Sequence, residues 1–317
     1  MQSVLRSPHR SAIGRAIGRA TRRCEDQYAI KARTVSNDAP KKAKEEVHSD
    51  IKLYQYAICP FCNINKALLS YTDTPYEIVE VNPLSKAELS FSADGYKKVP
   101  VATVRTDDAA EPSSSGPSVR QIRQIRQING SEEIGRALLA LPSVLRNLSL
   151  RNGLPLATFQ SSPRARKWET FSREELAPVL YPNICRSWSE SYEAFGYVND
   201  AKGFTTVQKG LIRGVGSLAM LFAASKIKSK RNITDEREAL RSALSKWAEE
   251  GLDGNGSYGS GAEHPDMGDI AMFGVMNSIS GLRTHEEVIL GRGGEDANPV
   301  VLDWYLRMRE QVGSTVY

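Results

Sequence analysis

The spacing of hydrophobic residues changes part-way along the chain. Between residues 51 and 141, short runs rich in Val, Ile, Leu and Tyr are separated by polar turns, which is typical of β-strands. Between residues 163 and 313, hydrophobic residues recur at intervals of three and four, which is the period of amphipathic helices. The pattern therefore predicts an α/β region followed by an all-α region.

The first region has the predicted element order βαβαββα. Strands are expected at 51–57, 75–81 and 99–104, and the second half of 120–128 is expected to form an edge strand. One helix is expected to follow the first strand as far as Tyr71, and a short one to cover 84–91. The last helix is expected to begin with Ser131 as its N-cap and to end near Leu141.

The second region reads as a helical bundle. Five helices are expected: 164–180, one from Phe204 to the basic turn at 226–231, one from Thr234 that ends just before Gly251, one after Asp266, and 299–312. Asp266 and Asp269 resemble a capping box at the start of the fourth helix. That helix is hydrophobic on all sides, so we expect it to lie at the centre of its bundle.

The segment Cys59-Pro60-Phe61-Cys62 carries the clearest chemical signal. Pro suits the first helical position, which makes Cys59 the N-cap and Cys62 the third helical residue. The sulfur of Cys59 then meets unpaired backbone N–H groups at the positive end of the helix dipole, and this lowers its pKa. Cys62 lies within one turn and can donate its S–H. The sequence therefore predicts a reactive thiolate at Cys59.

Two other interpretations of the cysteine pair stay open. It could be half of a zinc site, but no second pair follows and the four histidines are scattered, so we predict no metal. It could also be a structural remnant in a catalytically silent domain. The strand, the proline and the helix all fall where thiol chemistry needs them, and the element order with Cys-x-x-Cys at the first strand-to-helix junction favours a thioredoxin-like fold. In such domains the residue before a cis-proline faces the cysteines, which directs attention to Val99-Pro100.

Composition and charge narrow the class of protein. Hydrophobic residues make up 40% and charged residues 25% of the chain, as in ordinary globular proteins. Residues 51–317 hold 31 basic and 31 acidic side chains, so the body of the chain lacks the basic excess of nucleic-acid-binding proteins. Four cysteines are too few for a disulfide scaffold. The longest uncharged apolar run, 214–225, is shorter than the ~20 residues of a membrane span, so no transmembrane helix is expected.

The N-terminal 50 residues differ from the rest. Residues 1–23 hold six arginines and no acid, and hydrophobic residues share one face of the helical pattern. This is typical of an organelle transit peptide, and a disordered basic tail is the alternative. We therefore predict a transit peptide and linker at 1–50, an α/β domain at 51–142 and an all-α domain at 163–313. The expected location is the mitochondrion, with a plastid or the periphery of an internal membrane as alternatives.

The order of a thioredoxin-like domain and an all-α domain resembles the glutathione transferase architecture. The segments at 53–62, 75–76, 79–83 and 97–100 resemble the glutaredoxin-like half of the prostaglandin E synthase 2 family, and the similarity continues weakly through the second domain. The resemblance implies that Cys59 is the active thiol, Cys62 its partner and Tyr56 the neighbouring hydroxyl. It implies that glutathione is contacted by Phe61, Val99, Pro100 and Ser131. The family usually has an acid directly before this serine, where this sequence has Gly130.

The activity that the resemblance implies is a thiol-dependent isomerisation of a prostaglandin endoperoxide of the H2 type to the E2 type. A glutathione-dependent thiol–disulfide oxidoreductase or transferase is the alternative, because the same thiol would serve a mixed-disulfide substrate. A non-catalytic assembly module at an organelle membrane is a third hypothesis. By family resemblance alone, haem is a candidate second cofactor. Peripheral membrane contact and a homodimer are further expectations.

Overall fold

The computed structural model describes residues 50–107, 123–253, 258–293 and 297–313. The predicted transit peptide lies outside these residues, apart from Asp50. The described residues begin with a four-stranded sheet and continue with helices to Val312. This is a thioredoxin-like α/β fold followed by an all-α region, as the sequence predicts.

The sheet contains β1 (Ile51–Gln55), β2 (Glu77–Glu80), β3 (Val101–Asp107) and β4 (Arg123–Asn129) in the order β2-β1-β3-β4. β1 and β2 are parallel, with Leu53 opposite Ile78, whereas β3 runs antiparallel to both β1 and β4. The predicted edge position of β4 is confirmed. Leu53, on the central strand β1, is completely buried because its side chain lies in the main hydrophobic core.

The helices are α1 (Pro60–Tyr71), α2 (Ser131–Leu139), α3 (Pro142–Arg151), α4 (Leu156–Ser161), α5 (Pro163–Phe171), α6 (Ala177–Ile184), α7 (Trp188–Ala194), α8 (Thr206–Arg231), α9 (Glu236–Lys246), α10 (Met267–Asn277) and α11 (Pro299–Val312). α5 and α6 are joined by a wide π-helical turn. A similar turn at Ile212–Gly216 lies within α8.

Several predicted boundaries need correction. The short helix expected at 84–91 is replaced by two 3-10 turns, Ala87–Leu89 and Ala93–Gly95. The N-cap of α9 is Asp235, one residue after the expected start. α3 and α4 occupy a stretch that the sequence left unassigned, because each buries only one or two hydrophobic side chains and therefore shows a weak period.

The helix α10 lies at the centre of the molecule, and all eleven of its residues are buried. The expected capping box is present: the Asp266 side chain accepts the N–H of Asp269, and Asp269 accepts the N–H of Asp266. A Cβ atom added at Gly274 would lie 2.7 Å from the carbonyl oxygen of Asn63 on α1. Contact this close requires glycine, so α10 supports the helix that carries the cysteines.

One described helix has the length and composition that a membrane span requires. It is α8, which has 26 residues and of whose most apolar stretch only 22% is buried. No transmembrane helix was expected from the sequence, because the longest uncharged apolar run, 214–225, is short. The helix α8 is longer than this run, since it also contains the charged residues Lys209 and Arg213.

Candidate thiol site

The turn between β1 and α1 presents the two thiols. Cys59 is the N-cap of α1, with φ −74° and ψ 118°, and Pro60 is the first helical residue. The backbone N–H of Cys62 donates to Sγ of Cys59 over 3.4 Å. The predicted N-cap position of Cys59 is therefore confirmed, together with the contact between its sulfur and a free N–H at the helix start.

The pKa values of the two thiols are shifted in opposite directions. Burial raises the pKa of the Cys59 thiol, but hydrogen bonds from Cys62 and from the N–H of Phe61 outweigh burial and bring the pKa below its ordinary value. Burial, and then the hydrogen bond to Cys59, raise the pKa of Cys62 well above its ordinary value. This geometry favours one thiolate at Cys59, which is stabilised by a protonated thiol at Cys62.

Two polar side chains hold the backbone of the turn by hydrogen bonds. Glu80, at the end of β2, accepts the backbone N–H of Ala57 at 2.9 Å and a side-chain N–H of Gln55 at 3.0 Å. The amide of Asn63 donates to the carbonyl oxygens of Ala57 at 2.7 Å and Cys59 at 2.9 Å. The backbone from Ala57 to Cys59 is therefore held by hydrogen bonds to the carboxylate of Glu80 and from the amide of Asn63.

Two further ionisable groups lie within electrostatic range of the thiols. Burial raises the pKa of Glu80 to about 7. Lys66, on α1, is fully buried, and burial lowers its pKa to about 8 against the opposing effect of the cysteines and Glu80. A carboxyl and an ammonium with pKa values near neutrality are typical of groups that exchange protons at functional sites.

Three tyrosines surround the cysteine pair. Burial, and then a negative charge at Cys59, raise the pKa of Tyr56 to about 12, so its phenol keeps its proton at neutral pH. Burial also raises the pKa of Tyr181 and Tyr197 well above the ordinary value, with further contributions from Cys59 and Cys62. Both come from the helical part of the chain. Tyr197 packs in one cluster with Ala57 and Tyr56, so the helical region covers the turn, and Cys59 is only 6% exposed.

The predicted glutathione-contact residues lie on two sides of this turn. The Val99–Pro100 peptide bond is cis, and Val99 packs with Tyr56 against the small cluster around Val81. Phe61 packs against the main core, and its N–H reaches the sulfur of Cys59. The carbonyl oxygen of Pro100 accepts the N–H of Gly130 at 3.0 Å, which connects this loop with the start of α2.

The expected role of Ser131 as N-cap is wrong. Gly130 is the N-cap of α2, with φ +85°, and Ser131 is the first helical residue and is buried. A positive φ is accessible to glycine at little cost, and this is what moves the cap back by one residue. Capping therefore does not explain why a serine occupies position 131.

Sequence reasoning missed Glu80, Asn63, Tyr181 and Tyr197. Glu80 lies within the Val79-Glu-Val-Asn-Pro83 segment that supports the family resemblance, but its role depends on the parallel pairing of β1 and β2. Tyr181 and Tyr197 are more than 100 residues from Cys59 in sequence, and no spacing rule indicates that they approach it.

Among the described residues, no group of His, Cys, Asp and Glu could hold a metal ion.

A four-stranded mixed sheet, a cis-proline directly before one of its strands, a cysteine that caps the first helix and a helical region that covers the turn define the glutathione transferase-like class of thioredoxin-fold proteins. Residues 53–116 match the family model of the glutathione S-transferase N-terminal domain. The chain is 25% identical to prostaglandin E synthase 2 of Mus musculus over 280 residues, which is 83% of this chain and 70% of the mouse protein. It is 26% identical to prostaglandin E synthase 2 of Danio rerio over 285 residues, or 84% and 72% of the two chains.

A solved structure of glutaredoxin 2 from Salmonella typhimurium in complex with glutathione is also similar. It is 17% identical, with a TM-score of 0.46, and the match covers 83% of this chain and 95% of that chain. The resemblance to the prostaglandin E synthase 2 family and the glutathione transferase superfamily is therefore confirmed by the curated relatives and the family model together.

Proposed function

We propose that this chain is an isomerase that opens a prostaglandin endoperoxide of the H2 type and converts it to the E2 type, with Cys59 as the nucleophile. The observation that carries the proposal is the Cys59–Cys62 pair, in which a helix N-terminus and the Cys62 thiol stabilise a thiolate at Cys59. The names of the two curated relatives support the choice of substrate.

The proposed reaction needs no external oxidant or reductant. The Cys59 thiolate attacks one peroxide oxygen, so that an S–O bond forms and the O–O bond breaks. The second oxygen departs as an alkoxide and takes the phenolic proton of Tyr56. The carbon bearing the S–O group then loses its hydrogen as a proton to the Tyr56 phenolate. A C=O bond forms, and the S–O electrons return to Cys59 as thiolate.

Glutathione is the proposed thiol ligand or co-substrate. Two features support this choice: Val99 precedes a cis-proline, as the residue that meets a peptide-like thiol does in thioredoxin-like domains, and Ser131 lies at a helix start, where a carboxylate is favoured. Haem forms no part of the proposal. Of the two described histidines, His285 is buried against Tyr305 and His264 lies beside Gly153, so neither offers an imidazole at the thiol site.

A second candidate is a glutathione-linked thiol–disulfide oxidoreductase. The proximity of the two sulfur atoms favours it, because Cys59 could attack a mixed disulfide and Cys62 could then displace the second thiol. A non-catalytic assembly role would leave the acidified thiol at Cys59 without a use. The two enzymatic candidates differ in the number of thiols that they need.

The deciding experiment offers the purified protein an H2-type endoperoxide and a glutathionylated peptide side by side. Cys59→Ser should abolish either activity. Cys62→Ser should leave isomerisation largely intact, because that reaction needs one nucleophile, and should stop a dithiol reductase cycle. Cys185→Ser, which changes a buried cysteine outside the site, is the matched control. Turnover of the peptide alone would assign the chain to the oxidoreductase class.

We also infer that residues 1–50 direct the protein to the mitochondrion. The arginine-rich, acid-free character of residues 1–23 supports this. Mass spectrometry of the protein from purified organelles should find a mature N-terminus between residues 24 and 50. An intact Met1 in the organelle fraction would contradict the inference.

A further inference from the structure

The helix α8 has its hydrophobic face turned outward. The buried face consists of Ile212, Gly216, Ser217 and Ala224, of which all but one are small. The exposed face carries five large hydrophobic side chains at intervals of four, four, three and four residues, and we call them the outer stripe: Val207, Leu211, Val215, Leu218 and Phe222. A surface helix normally shows the reverse arrangement.

The small inner residues explain how α8 is held. A Cβ atom at Gly216 would lie 2.8 Å from the ring of Phe195, and the hydroxyl of Ser191 donates to the carbonyl oxygen of Ser217 at 2.8 Å. These contacts fix which face points inward. The outer stripe is therefore exposed because of packing on the other side, with Val207 at 73% and Phe222 at 68% exposure. A continuous apolar strip of this length marks a contact surface.

The charge around the outer stripe indicates what it contacts. Residues 200–231 hold seven basic side chains and one acid, whereas residues 51–317 as a whole are balanced. The basic groups are Lys202, Lys209, Arg213, Lys226, Lys228, Lys230 and Arg231. Lys228 and Arg231 are paired with Glu236 and Glu175. The exposed Lys226 and Lys230 extend the positive surface beyond Phe222.

Two other occupants are disfavoured by the same charge. A second copy would bring the exposed Lys202, Lys226 and Lys230 of both chains into one interface, and like charges at close range disfavour that contact. The chain's own residues 1–50 carry a surplus of five positive charges and would be repelled as well. An anionic partner satisfies both the apolar stripe and the basic flanks.

We propose that α8 lies in the plane of an anionic lipid surface, with the outer stripe inserted among the lipid chains. Val, Leu and Phe on one face and lysines on its flanks are the features of interfacial helices. The lysines would be attracted to anionic headgroups, an effect that salt weakens. The inference is independent of the thiol chemistry, because it involves neither cysteine.

The test measures whether one defined position of α8 enters the lipid, using the full chain. Vesicle binding alone would not be enough, because residues 1–50 could bind vesicles by themselves. Phe222→Trp places a tryptophan on the outer stripe. Ile125→Trp, at a 64% exposed position on β4, is the matched control. With vesicles of phosphatidylcholine and phosphatidylglycerol that carry brominated acyl chains, we expect at least twofold stronger quenching of Phe222→Trp than of Ile125→Trp. Equal quenching of the two variants would overturn the proposal.

Vesicle flotation supplies a second measurement. Leu218→Ser with Phe222→Ser should lower the partition coefficient on the order of tenfold. Leu150→Ser, at an 82% exposed position, should leave it unchanged. Circular dichroism checks that each variant is folded. If light scattering instead shows a dimer that the double variant converts to monomer, while vesicle binding stays equal, the stripe is a self-association surface and the lipid proposal is wrong.

Discussion

The carboxylate of Glu80 accepts the backbone N–H of Ala57 at 2.9 Å, two residues before Cys59. This contact joins the end of β2 to the turn that carries the thiols. It places an ionisable group with a pKa of about 7 in the local network. Groups that face it are Lys66 on α1, Glu88, the two cysteines, Tyr56 and Tyr197.

The raised pKa of Glu80 predicts a pH-dependent stability difference for Glu80→Gln. Because the folded protein keeps this proton up to about pH 7 while the unfolded chain releases it near 4.5, the wild type loses stability as the pH rises between these values. The loss is at most about 3 kcal/mol. The variant has no such proton, so its free energy of unfolding relative to wild type should increase from pH 5 to pH 8.

Urea denaturation at four pH values between 5 and 8 measures this difference. Glu77→Gln is the matched control, because Glu77 lies on the same strand and is exposed beside Lys52. The pH dependence of the stability difference should be larger for Glu80→Gln than for this control. Equal pH dependence in the two variants would show that the Glu80 carboxyl titrates near its ordinary pKa.

The donor at Cys62 predicts a graded effect on the acidity of Cys59. Cys62→Ser keeps a hydroxyl that can donate to the Cys59 sulfur, whereas Cys62→Ala removes the donor. A hydrogen bond to a charged group contributes roughly 1.5–3 kcal/mol, so the pKa of Cys59 should be about 1–2 units higher in Cys62→Ala than in Cys62→Ser. The rate of iodoacetamide alkylation against pH gives both values. Identical profiles would assign the low pKa of Cys59 to the helix N-terminus alone.

At Gly130, the glycine before Ser131, Asp and Asn substitutions should have the same effect on stability but different effects on glutathione affinity. Gly130 has φ +85°, so Gly130→Asp and Gly130→Asn should each destabilise the protein by about 1 kcal/mol. A Cβ atom there meets nothing within 4 Å. Asp alone adds a carboxylate for the glutathione α-ammonium, which should tighten binding about 5- to 150-fold relative to Asn. Calorimetric titration compares the two, and equal dissociation constants would show that the α-ammonium lies elsewhere.

Close packing between α1 and α10 predicts a large effect at Gly274. Gly274→Ala should lower the free energy of unfolding by about 2–4 kcal/mol, because its Cβ atom would overlap the backbone of Asn63 and Ile64. Gly210→Ala, on the outer side of α8 with nothing within 4 Å, should instead stabilise by about 0.5–1 kcal/mol. Thermal denaturation of both variants tests this, and a neutral Gly274→Ala would mean that the two helices can separate.

The local elements of the candidate site follow from nearby residues. Pro60 after Cys59 sets the start of α1, and the strand before it places the turn at the C-terminal end of the central strand β1. Hydrogen bonds between residues three or four apart decide these features, so the sequence predicts them. The same holds for the capping box at Asp266 and Asp269. The prediction of Ser131 as an N-cap is wrong because the positive φ of Gly130 places the cap one residue earlier. The side-chain preferences of capping residues do not reveal that backbone angle.

The order of the four strands, the N-cap at Cys59 and the central place of α10 are predicted correctly from the sequence, because periodicity and capping are short-range effects. The contact of Glu80 with Ala57, the packing of Tyr197 with Tyr56 and the outward direction of the large side chains on α8 are visible only in the folded chain. These relationships depend on which faces meet when the sheet and the helices pack together. A hydrophobic residue has the same appearance in the sequence whether its partner lies inside the protein or outside it.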